Sequence, residues 1–232
     1  MPTASSTIET SIPASGFIDR RVGDVAAQLA GATAVFRRYK IDFCCGGDVS
    51  LAEAARKCGA DAGAIAAELA ALDASPPDAP QETAALVGHI IARYHDTHRR
   101  ELPELVKLAR RVEAVHRGHP EAPAGLADLL STADDELGQH MAKEEQVLFP
   151  AMQEGYQGSL DMPIRVMRHD HDQHALIIRT LQEVTNGYRP PEDACRSWRA
   201  LYTGIEKLVT DLTEHIHLEN NILFPRFEKR WG

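Results

Sequence analysis

From residue 82 onward, apolar and polar positions alternate with the spacing of amphipathic helices. Four long stretches carry the pattern, roughly 82–117, 124–153, 162–187 and 192–229, and none reads as a strand. They are joined by short segments rich in glycine and proline: HRGHPEAPAG, GYQGSLDMP and NGYRPPED. Short connections between four long helices predict an all-α, up-down-up-down four-helix bundle over 81–232. Pro103 is expected to kink or locally break the first helix. Residues 17–74 predict a small helical domain. SLAE at 50–53 is a capping-box signal for a helix that stops at Gly59, and Asp61 caps a second helix, AGAIAAELAAL. SPPDAP at 75–80 reads as a linker, and residues 1–16 as a mobile polar tail.

Composition narrows the function. Charged residues make up 25% and the formal net charge is −9, which argues against nucleic acid and anionic membrane as partners. No apolar run has the length of a membrane span, and the N-terminus lacks the basic and apolar regions of a secretory signal, so a cytoplasmic protein is expected. Four cysteines at irregular spacing do not make a disulfide framework.

The first two helical stretches and the last two share a written pattern. HMAKEEQVLFP at 140–150 returns as HIHLENNILFP at 215–225, 75 positions later. HDTH from His95 returns as HDQH from His171, 76 positions later. One His-x-x-x-Glu arises by chance about once in such a chain, but two with the same Leu-Phe-Pro continuation imply a duplicated helix hairpin. Positions i and i+4 share a helical face, so His140 with Glu144, and His215 with Glu219, point the same way. Val147 and Leu148, and Ile222 and Leu223, are expected to continue these faces into the core. Burying imidazoles and carboxylates is costly unless they pair or bind metal. The duplication therefore predicts four histidines and two glutamates at the bundle centre. An all-nitrogen-and-oxygen set with two carboxylates able to bridge favours a pair of iron ions over zinc, with manganese as the alternative. The prolines are expected to end or kink each helix after the ligands are placed.

This pattern, preceded by FRRYKIDFCCGG at 36–47 and SLAEA, resembles the hemerythrin-like di-iron proteins of iron–sulfur cluster repair (the RIC, YtfE, ScdA, DnrN and NorA family) over nearly the whole chain after residue 17. The resemblance implies iron ligands His95, His140, Glu144, His171, His215 and Glu219. It implies bridging by Glu144, Glu219 and an oxo or hydroxo group. It selects the first histidine of each HDxH, with His98 and His174 as outer partners or alternative ligands. It implies a response to nitrosative and oxidative stress in which iron is returned to damaged iron–sulfur proteins. Nitric oxide reduction or scavenging at the same site is the alternative, and a non-catalytic sensor of oxygen or nitric oxide is a third reading. Assembly as a homodimer is left open.

Cys44 and Cys45 lie shortly before a helix start, where thiol pKa values fall, so a loop that relays iron, electrons or nitric oxide is expected. Neighbouring cysteines do not easily share one tetrahedral ion or a relaxed disulfide. Cys58 and Cys195 read as structural. Glu136 and Asp211, one turn before His140 and His215, and Asp170 beside His171, are candidates for orienting the ligands or lining an iron route. Met141, Met152, Met162 and Met167 read as core, and His116 and His119 as surface.

Overall fold

The computed structural model describes residues 12–73, 75, 79–154 and 158–228. Most of the expected tail, residues 76–78 of the expected linker and the last residue of the fourth predicted helix lie outside them. The chain divides into two compact units, Met1–Ala79 and Pro80–Gly232. Among the described residues there are helices and one isolated bridge, Arg21 to Ser50, but no strand.

The first unit holds α1 (Val22–Gln28), α2 (Ala32–Arg38), α3 (Leu51–Cys58) and α4 (Ala62–Ala70). The Ser50 hydroxyl accepts the Glu53 N–H at the start of α3, and Gly59 ends it in the left-handed region at φ 68°. Asp61 accepts the Gly63 N–H and opens α4. Val22, Val25, Phe36, Phe43, Leu51, Ile65 and Leu69 form its buried core.

The second unit is the four-helix bundle. Its first rod is α5 (Thr83–Ile90), a wide π turn (Ile91–His95) and α6 (Asp96–Val115). The second is α7 (Leu126–Lys143), a π turn (Glu144–Leu148) and α8 (Phe149–Gln153). The third is α9 (Asp161–Val184), and the fourth is α10 (Arg196–His217), a π turn (Leu218–Leu223) and a 3₁₀ turn (Phe224–Arg226). Helix α6 packs on α7 and α10, and α9 on both α7 and α10, closing the ring.

Three expectations change. Helix α6 runs through Pro103 unbroken. Leu102, Leu105 and Val106 are buried around it, and this packing outweighs the ~3 kcal/mol cost of an internal proline. Val147 does not continue the buried face but is 65% exposed, whereas Leu148 is buried. The π turn shifts hydrogen bonding from four residues to five, so the core-facing phase slips by one position. That wider turn also precedes Pro150 and Pro225, where it relieves crowding of the carbonyl four residues back. Met141, Met152 and Met167 are buried as expected, but Met162, on the first turn of α9, is 61% exposed.

Candidate metal centre

Three of the four rods are π-turned where they present a predicted ligand. His95 closes the first π turn, Glu144 opens the second, and Glu219 lies in the third. Such turns interrupt α-helices most often at functional sites, because they re-aim a side chain without ending the helix. The fourth rod, α9, is regular and carries His171 and His174.

The structure brings His95, His140, Glu144, His171, His215 and Glu219 together, all 0–1% exposed. They form two groups: His95 with His215, and His140 with His171, each completed by both Glu144 and Glu219. Each group therefore mixes the two sequence copies: the first-helix histidine of one copy meets the second-helix histidine of the other. His95 Nε2 lies 3.0 Å from His215 Nε2, and His140 Nε2 lies 3.1 Å from His171 Nε2. Two nitrogens held ~2.1 Å from one cation at right angles would be ~3.0 Å apart, so each pair has the bite of a single ion. Glu219 lies 3.1 Å from both His171 and His215, and Glu144 lies 3.4 Å from His140 and 3.5 Å from His95.

Outer partners fix the rings. His95 Nδ1 donates to Glu145 Oε1 at 2.7 Å, and His171 Nδ1 to Asn220 Oδ1 at 2.9 Å. His140 Nδ1 lies 3.3 Å from Asp170, which also pairs with Lys143. Each contact turns Nε2 toward the centre, the tautomer a cation requires. Glu145 and Asn220 were not singled out in the sequence, although both follow the glutamate of the repeat by one position. Tyr94 stacks on His215 with ring centroids 5.7 Å apart.

The electrostatics describe a cage built for positive charge. Burial and the neighbouring Glu219 push the Glu144 carboxyl up to about 7. Neither of its oxygens, both buried, has a hydrogen bond. Burial acts to raise Glu219, but His215 and His171 overcome it and hold that carboxyl well below its ordinary range. Burial acts to lower His140, but Glu144 and the Asp170 hydrogen bond reverse this and raise it to about 10. Burial and the charge of His215 push His95 down to about 2. A buried carboxylate without donors, facing converging imidazoles, is the arrangement that a metal pair satisfies.

The remaining candidates fall outside these groups. His98 and His174 are buried one turn from His95 and His171; His98 lies tilted against His215 at 5.5 Å between centroids and His174 edge-on to His140 at 5.0 Å. Glu136 is exposed, because the buried face of α7 runs through Ala133, Leu137 and His140 and leaves it at the edge. Asp211 is buried but binds Arg93 at 2.7 Å and Lys207 at 2.9 Å, anchoring the first π turn to α10. Cys44 is buried, and the Cys45 contact, burial and Asp42 hold its thiol well above the ordinary range, opposite to the expected depression. His116 and His119 are half-buried against Trp198, and His116 Nε2 lies 3.1 Å from Cys195 Sγ.

Residues 86–227 match the hemerythrin HHE cation-binding domain, and residues 18–73 match the ScdA_N domain, described as a domain of unknown function. The bundle is thus a cation-binding domain of the hemerythrin class. Over 212 residues, 90% of its length, the whole chain is 45% identical to the iron–sulfur cluster repair protein YtfE of Pectobacterium atrosepticum and 47% identical to that of Yersinia pseudotuberculosis, with 96% of each relative covered. The corresponding protein of Citrobacter koseri is 45% identical over 213 residues, 90% of this chain and 97% of the relative. The chain belongs to the YtfE family of iron–sulfur cluster repair proteins. No helix among the described residues is long and apolar enough to cross a membrane.

Proposed function

We propose that the chain holds two iron ions in the bundle and donates iron to damaged iron–sulfur proteins in the cytoplasm under nitrosative and oxidative stress. His95 and His215 would hold one ion and His140 and His171 the other, with Glu144 and Glu219 within reach of both. The observation that carries the reading is the Glu144 carboxylate, buried without a hydrogen bond and facing both histidine pairs. Kinship with proteins named for cluster repair supplies the cargo's destination.

Release needs groups that accept the charge an ion leaves behind. His140, raised to about 10, and Glu144, raised to about 7, are suited to take a proton at Nε2 and at a carboxylate oxygen as a cation departs. Glu145 and Asp170 hold His95 and His140 from the half-buried rim and keep both rings aimed inward while this happens.

The test is anaerobic incubation of the chain loaded with isotopically labelled iron and a dehydratase whose cluster has been damaged. Label should enter the client as its activity returns. An inactive client, with nitrous oxide formed when nitric oxide is supplied, would replace this reading by nitric oxide reduction.

A further inference from the structure

We propose that Asp42, Cys44 and Cys45 form a second metal site in the first unit, one that takes a single borderline divalent cation such as Zn(II) or Fe(II) through two thiolates and one carboxylate. The sequence alone argued against neighbouring cysteines sharing an ion, and the loop geometry reverses that argument. Cys44 Sγ lies 3.7 Å from Cys45 Sγ and 3.5 Å from Asp42 Oδ1. Two sulfurs each ~2.3 Å from a tetrahedral cation are ~3.8 Å apart, and such a sulfur and a carboxylate oxygen at ~2.1 Å are ~3.6 Å apart. Both spacings are met before any ion enters.

The loop is built to hold them. Helix α2 ends in a Schellman turn: Lys40 N–H donates to Arg37 and Ile41 N–H to Phe36, with Lys40 in the left-handed region at φ 57°. A non-glycine residue there is held by its surroundings. Phe43 is buried against Phe36, 5.9 Å between ring centroids, and fixes the chain just before the cysteines. Asp42 Oδ1 accepts the Cys45 N–H at 2.9 Å, so the carboxylate is oriented by the loop it would serve. Gly46 makes room for it, since a Cβ there would come within 3.1–3.4 Å of the Asp42 carbonyl and carboxylate. The loop is tied to α1 through Gly47 and Val49 carbonyls, which accept the Gly23 and Val22 N–H groups at 3.0 Å each.

Donor chemistry decides the ion. Thiolates select soft and borderline metals, and one carboxylate keeps the site within reach of divalent ions. Three protein ligands leave the fourth position open, and Asp42 is exposed, so that position faces solvent. Binding exchanges the two thiol protons for one cation, M²⁺ + 2 RSH → M(SR)₂ + 2 H⁺, with the Asp42 carboxylate as the third donor.

The test is titration of the full, iron-loaded chain with Co(II) under anaerobic conditions. A thiolate-to-Co(II) charge-transfer absorption reports sulfur ligation, which the nitrogen-and-oxygen bundle site does not produce. The absorption should saturate at about one equivalent, with about two protons released, and should be displaced by Zn(II). Cys45→Ala should abolish it and Cys58→Ala should leave it. Asp42→Asn, which keeps an oxygen acceptor for the Cys45 N–H, should weaken binding by at least the ~10–100-fold that loss of an outer partner costs a metal site. Absence of the absorption, or its survival in Cys45→Ala, overturns the assignment. An unchanged affinity in Asp42→Asn removes the carboxylate from it.

Discussion

Replacing Glu144 by leucine should make the metal-free protein more stable and the iron-loaded protein less so. The wild-type carboxyl is fully buried without a hydrogen bond, and its pKa is raised from 4.5 to about 7. A raised carboxyl binds its proton more tightly folded than unfolded. Its contribution is therefore intact below about 4.5, is lost as pH rises through 7, and leaves a standing penalty above that. A shift of this size corresponds to on the order of 3 kcal/mol. The attraction of His140 is already contained in it, and leucine nearly fills the vacated volume. Urea unfolding of metal-free wild type and Glu144→Leu should coincide near pH 4.5 and diverge with rising pH. At pH 8 the variant should be ahead by roughly 2–3 kcal/mol, or roughly 4–12 °C in Tm for a domain of this size. With iron, the order should invert, because a ligand that binds only the folded state stabilises by RT ln(1 + [L]/Kd), and the variant loses that gain. A variant less stable than wild type at pH 8 without metal, or one that keeps its iron-dependent stabilisation, would refute the reasoning.

Other outcomes follow from the same geometry. Asn220→Ala and Glu145→Ala, which free His171 and His95 to rotate, should each weaken iron binding ~10–100-fold by equilibrium dialysis, whereas Glu136→Ala on the exposed edge of α7 should not. His98 and His174 are pushed from 6.5 to about 3 by burial first, so each is neutral when folded and takes up a proton only on unfolding. Their contribution is complete above 6.5 and lost as pH falls toward 3, at ~1.4 kcal/mol per pH unit each. His174→Leu should accordingly flatten the acid limb of metal-free stability measured by urea unfolding. A fragment spanning 81–232 should keep the iron absorption of the full chain, since every predicted iron ligand lies inside it.

The duplicated His-x-x-x-Glu was readable because one helical turn dictates which side chains share a face. The bundle followed from four apolar stripes and short polar connections. What periodicity could not carry is the change of period itself. A π turn differs from an α turn by one step in hydrogen bonding and has no compositional mark, so Val147 reads as core when the slip sends it outward. The same slip is absent from the regular α9, where His171 and His174 fall as a plain helix places them. The pairing of His95 with His215 rather than His140 depends on how four rods close, which no local pattern encodes. The partner of Asp211 was hidden because its salt bridge to Arg93 joins residues 118 positions apart. The Cys44–Cys45 geometry stayed hidden for a different reason: it is set by a turn with the non-glycine Lys40 in the left-handed region and by Phe43 packing on Phe36, neither of which the residue pattern marks.

The central claim is that both glutamates serve both histidine pairs, and iron content measures it most directly. Full-length protein purified anaerobically should carry about two irons per chain, and Glu219→Leu at most about one, because losing a shared carboxylate disables the pair rather than a single ion. Wild type with one iron, or Glu219→Leu with two, would contradict the account.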